Sequence, residues 1–240
     1  MIKRIITLAI CGGFVCLTPA VHAALTIDPS VGGHPFSGVN YVTFNTLPLG
    51  GGGGFAPNTA ASADPLGGIT VSFTPDAQVV NGPAAGLYAP PVLSNGNGAN
   101  FDGQADGVDT TNYITSGKDG SPNIGAKAEL TFSSHQNYFG LLWGSVDEYN
   151  TLEFFDGLTS VGTIIGTQIT PAATGDQGID GTFYVNITSD LLFDRVVATS
   201  SEYAFEFDNV AYGIPEATTI VVWSCLSLIG LFAYRRRYSM

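Results

Sequence analysis

The chain has 240 residues, of which 20 are acidic and 8 basic, giving a formal net charge of −12. So acidic a surface repels nucleic acid and anionic headgroups and attracts divalent cations, and no nucleic-acid partner is expected. The length and a hydrophobic fraction of 45% suit one domain with a real core and are short for two.

Lys3 and Arg4 precede an apolar run over 5–17, and Val21, His22 and Ala23 put small residues three and one positions before a break at Ala24. This is the layout of a secretory signal, so residues 1–23 are read as a leader and left out of the fold. An uncleaved anchor is the alternative, although the apolar run is short for a span. Cys11 and Cys16 leave with the leader, and Cys225 falls near the other end. The remaining segment, 24–213, therefore has no disulfide, no thiolate nucleophile and no cysteine metal ligand. It keeps Lys118, Lys127 and Arg195 against nineteen acids, a formal −16.

That segment is dense in Gly, Thr, Ser, Asn and Asp, with short apolar or alternating runs between turn formers. Residues 68–75 alternate Ile69, Val71 and Phe73 with Thr70, Ser72 and Thr74, the period of a half-buried strand. Further strands are predicted at 40–44, 126–132, 138–145, 150–156, 159–165, 181–187, 193–200 and 203–213. No stretch of ten residues carries a helical apolar stripe. Many short strands separated by Gly and Asp turns predict an all-β domain, an antiparallel β-sandwich or jelly-roll-like arrangement. Two segments are read as loops: 49–68, dominated by Gly, Ala and Pro, and the turn-rich 81–125. Connections as long as the second carry binding sites or are disordered, so a ligand site is expected there if the domain has one.

Asp102, Asp106 and Asp109 stand among glycines in that second segment. Calcium takes six to eight oxygen ligands, and Gly lets neighbouring oxygens converge, so these three acids are the candidate calcium ligands, with Asp176 and Asp180 a weaker set. The spacing is not that of an EF-hand, and Asp-Gly is also ordinary turn chemistry. Catalytic constellations are scarce. His34 and His135 have no zinc spacing, and no Gly-x-Ser-x-Gly occurs. Asp147 with Glu148, or Glu153 with Asp156, are the paired carboxylates, read more simply as solvated surface acids. Tyr138, Trp143 and Tyr149 are the candidate sugar-stacking rings, with Phe139 beside them, although aromatics on a strand more often fill a core.

Near the C-terminus, residues 217–234 carry no charge, and eighteen residues at about 1.5 Å each just reach across a hydrocarbon core of about 30 Å. Arg235, Arg236 and Arg237 follow at once and belong on the cytoplasmic side, which puts 24–213 outside the cytoplasm.

Pro215 and Glu216, the apolar run and the terminal arginines together resemble the PEP-CTERM sorting signal of exosortase systems in Gram-negative bacteria, with Ala217 in place of the motif's second proline. Residues 68–82, 138–157 and 193–213 are similar to a group of exosortase-dependent surface proteins of unknown function. The resemblance implies a sorting tail over 214–240. An exosortase-type membrane peptidase would cut near Pro215 and pass the protein from the inner membrane to the cell surface, often beside extracellular polysaccharide. The first reading is thus a non-enzymatic surface or matrix protein. A calcium-assisted carbohydrate-binding module acting on exopolysaccharide is the second, and a glycan hydrolase using Glu153 and Asp156 the third.

Overall fold

A computed structural model describes residues 24–60, 67–117 and 126–214. The predicted leader and the predicted tail, with Pro215, Glu216, the 217–234 span and Arg235, Arg236 and Arg237, lie outside the described residues. Among those described, no helix is long and apolar enough to cross a membrane.

The strands are β1 (Leu25–Ser30), β2 (Asn40–Val42), β3 (Gly54–Pro57), β4 (Gly68–Phe73), β5 (Ala77–Asn81), β6 (Val92–Leu93), β7 (Gly107–Val108), β8 (Asn112–Ser116), β9 (Ala126–Gly144), β10 (Asn150–Asp156), β11 (Thr159–Ile165), β12 (Phe183–Ser200) and β13 (Phe205–Gly213). One four-residue helix, Gly166–Ile169, follows β11. The all-β expectation therefore holds, and every strand pair is antiparallel.

The two longest strands form the spine. β9 and β12 pair from Phe183 opposite Trp143 to Thr188 opposite Tyr138, shift register, and pair again from Arg195 opposite Thr131 to Ser200 opposite Ala126. Each was expected as two strands. The polar stretches between the apolar runs, such as Ser133, Ser134 and His135, are exposed, yet they interrupt the hydrophobic pattern without ending the strand. On one side of the shift β9 carries β4 and β12 carries β10. On the other side β9 carries β13 and β12 carries β1, while β13 continues to β8 and β2.

The two halves share one apolar core. Phe139, from one half, meets Phe154 of β10 edge-on at 5.9 Å, and Phe132, from the other, lies 5.0 Å from Tyr212 of β13. Trp143 stacks on Phe205 at 4.3 Å. On the opposite face of β9, Gly140 leaves room for the Tyr138 and Tyr184 rings, since a Cβ there would lie 2.5 Å from the Tyr138 hydroxyl oxygen.

Both predicted loops contain strands. β3 lies within 49–68 and pairs with β4 from Gly54 opposite Val71 to Pro57 opposite Gly68. Its glycines hid it, but they are required: Gly53 has φ +62, and a Cβ on it would lie 2.3 Å from the Val71 carbonyl oxygen. Within 81–125, β8 is an inner strand between β13 and β5, with Tyr113 and Ile114 fully buried. Much of the remaining segment lies as a cover on the side of β13 away from the main core. Leu93 and Phe101 from it pack with Tyr138, Leu142, Tyr184 and Ala211 in a second, smaller apolar cluster.

Phe154 is fully buried between Phe139 and Phe193. Phe154→Ala is expected to lower the unfolding free energy by about 3–5 kcal/mol, and Leu158→Ala, at a site 96% exposed, by less than about 0.5 kcal/mol, both read by urea denaturation.

Candidate functional site

β13 presents two faces. Phe205, Phe207, Val210 and Tyr212 enter the main core, whereas Glu206 and Asp208 alternate with them, 1% and 0% exposed. The register of β13 on β9 shifts between Asp208 and Ala211, and Asn209 there has φ +50. This bulge lets both halves of the strand keep their apolar residues on one side. Two carboxyl groups thus lie two residues apart in a sealed layer.

Glu206 is fully answered. The Ser145 hydroxyl donates to Oε2, and the Ala89 N–H, from the covering segment, donates to Oε1 at 3.0 Å. Burial pushes the Glu206 carboxyl up to about 7, and these two hydrogen bonds pull against that rise. Glu206 backs a cleft of about 200 Å³ lined also by Leu87, Ser145, Asp147, Tyr149 and Tyr203. The Tyr149 hydroxyl oxygen lies 2.7 Å from Asp147 Oδ2 and 2.6 Å from the Tyr203 carbonyl oxygen. Burial also raises Asp147, with Tyr149 opposing the shift. With these polar atoms engaged internally, the cleft is braced more than it is armed.

Asp208 differs. Among the described residues neither of its carboxyl oxygens completes a hydrogen bond, and only the N–H of the adjacent Asn209 approaches as a donor. Burial pushes it well above the usual carboxylate range; the charge of Asp109 and direct contact between the two carboxyl groups add to the rise, and the Asn209 N–H opposes it. Asp109 itself is 1% exposed: its Oδ1 accepts from Gln104 Nε2 at 2.9 Å, the Thr111 N–H at 2.8 Å and the Thr111 hydroxyl at 2.7 Å, while Oδ2 has no partner.

The three acids expected as calcium ligands are thus divided. Gln104 Nε2 bonds both Asp109 and, at 3.1 Å, Asp102 Oδ2, so these two converge on one amide. Asp106 instead accepts the Gly96 N–H at 2.8 Å and is exposed. Asp176 closes its own turn on the Gly178 N–H at 2.8 Å, and Asp180 is exposed in a short 3₁₀ turn. Tyr138 and Trp143 are fully buried, which removes both as a sugar-stacking face, and Tyr149 stands half-buried in the cleft. Their positions on β9 put them under the cover and in the main core. Glu153 accepts from the Ser160 hydroxyl at 2.9 Å. Asp156 lies 3.0 Å from His135, both exposed, and with the half-buried Asp194 these form a group whose ligand atoms lie within 4.8 Å of one another.

The reading of the sequence missed Glu206, Asp208 and Asn209. Their signal was two acids at alternate positions inside an otherwise apolar strand. Comparisons with family models, curated proteins and solved structures give no match to the chain.

Because folding raises the Glu206 pKa above its ordinary 4.5, the folded state binds this proton more tightly and the group's contribution falls as pH rises from about 4.5 to about 7. Relative to wild type, Glu206→Gln is expected to gain stability over that interval, by up to about 3 kcal/mol, and then level off. Urea denaturation across pH 4–8 checks this, and a flat difference would contradict it.

Proposed function

We propose that the chain is an exported, non-enzymatic cell-surface protein, delivered through the inner membrane and processed near Pro215 and Glu216 by an exosortase-type membrane peptidase. In this reading the two halves of the sheet form a jelly-roll-like β-sandwich, the part that remains after processing.

What supports it is the match between the predicted cuts and the edges of the sheet. Ala24 donates its backbone N–H to Asp190 Oδ1 at 2.8 Å, and β1 begins at the next residue. A cut after Ala23 converts that amide into an ammonium group, which strengthens its bond to a carboxylate. At the other end, β13 runs to Gly213, and Ile214 is 56% exposed. A cut near Pro215 therefore leaves every described strand in place. The internal engagement of Glu206, Asp147 and Glu153 favours a structural role over hydrolysis. The carbohydrate-module alternative loses Tyr138 and Trp143 as stacking rings, while its calcium component has support of a different kind.

Intact masses of the protein from inner-membrane, surface and medium fractions of its host test the proposal. Surface or medium material is expected to begin at Ala24 and end close to Pro215. A chain that keeps its end through Met240 and stays in the inner membrane would overturn the sorting reading.

A further inference from the structure

We propose that Asp109 and Asp208 together bind a calcium ion, buried between the turn that follows β7 and the bulge of β13. This inference stands independently of the route of export.

Four buried oxygens carry it. Both Asp208 carboxyl oxygens, Asp109 Oδ2 and the Asn209 amide oxygen lack hydrogen-bond partners of full geometry, and the three residues are 0%, 1% and 0% exposed. Nearly all buried polar groups in folded proteins are satisfied, and a buried carboxylate without a counter-charge is among the costliest defects. The charged groups that act on Asp208 are Asp109 and Asp102, both negative. Glu206, two residues along the same strand, is acidic as well and already holds its donors. A second carboxylate makes the defect worse, whereas a divalent cation between them removes it.

The surroundings suit a ligand set. Three donors hold Asp109 by Oδ1, which fixes the carboxylate and leaves Oδ2 for a further bond. Gln104 is itself held, because its Oε1 accepts from the Thr110 N–H at 2.9 Å and the Thr110 hydroxyl at 2.8 Å. On the other side the bulge re-aims the backbone next to Asp208, a device common at functional sites. Asn209, with its amide oxygen unpartnered, is the inserted residue.

The donor chemistry selects the ion. The unpartnered oxygens come from carboxylates and an amide, with no sulfur or imidazole, which suits a hard cation. Irregular, largely protein-supplied oxygen sites favour calcium, because magnesium requires a near-ideal octahedron and keeps its waters. The group of His135, Asp156 and Asp194 near the surface lacks such unpartnered buried atoms and provides a control.

The test uses the full chain in detergent, stripped with chelator. Calorimetric titration with CaCl₂ is expected to give one site per chain, and about 1 mM calcium to raise Tm by roughly 5–10 °C. Magnesium at the same concentration is expected to give a much smaller shift. Asp208→Asn and Asp109→Asn should abolish both responses, whereas Asp106→Asn and Asp156→Asn should keep them. If the first two variants fail to fold, the others decide: one calcium retained in both supports the site. Absence of calcium binding to wild type would overturn the proposal and leave the carboxyl pair to share a proton. A calcium response that survives in folded Asp208→Asn would equally overturn it.

Discussion

Closing a cover over the outer face of β13 requires an answer for every charge that the cover buries. β13 lies between β9 and β8, and β2 adds to it beyond the bulge, so a strand with its outer layer unsettled would loosen much of one half. Glu206 is answered by Ser145 and Ala89, one from the end of β9 and one from the cover itself. Asp208 has the Asp109 carboxyl beside it, with only the adjacent Asn209 N–H acting against the charge. A buried unpaired carboxylate costs several kcal/mol, on the scale of the whole net stability of a domain, so the cover and the strand below it hold together only if that charge is met by a cation or removed by a proton. In the calcium account the ion meets it and joins the two layers.

The main core asks less. The β9 and β12 spine runs through both halves, and aromatic contacts such as Phe139 on Phe154 and Trp143 on Phe205 fill the space between them. The described residues that fill that space are apolar, and its stability follows from their burial. The two layers therefore respond to different variables: the core to side-chain volume, the outer layer to pH and cations. A domain that leaves the cytoplasm meets higher calcium, and the export reading places the folding of this domain where the ion is available.

Much of the sheet was legible because its strands alternate or run apolar between turn formers. The runs 150–156 and 159–165 coincide with β10 and β11. Where reading failed, the reasons are specific. β3 is an edge strand rich in residues that usually break strands, and tertiary pairing with β4 overrides that tendency. β8 is five residues set among Asp, Asn and Thr, too short for a period to emerge. β9 and β12 were each divided because their polar middles resemble turns, whereas the ladder crosses them with a shift of register.

The acidic loop illustrates the harder limit. Asp102, Asp106 and Asp109 look equivalent in sequence, but only Asp109 turns inward, because Gln104 and the Thr111 hydroxyl and amide draw it there. Its counterpart, Asp208, comes from a distant strand that no local pattern links to the loop. The oddity was nevertheless visible: Glu206 and Asp208 interrupt an apolar strand at the period of one face, and acids placed there need partners that sequence does not name.

The most direct measurement is anomalous diffraction from crystals of the chain grown with calcium, at a wavelength long enough for calcium to scatter anomalously. The account predicts one strong peak bounded by the carboxylates of Asp109 and Asp208. No peak there would contradict it and leave a shared proton to settle the charge.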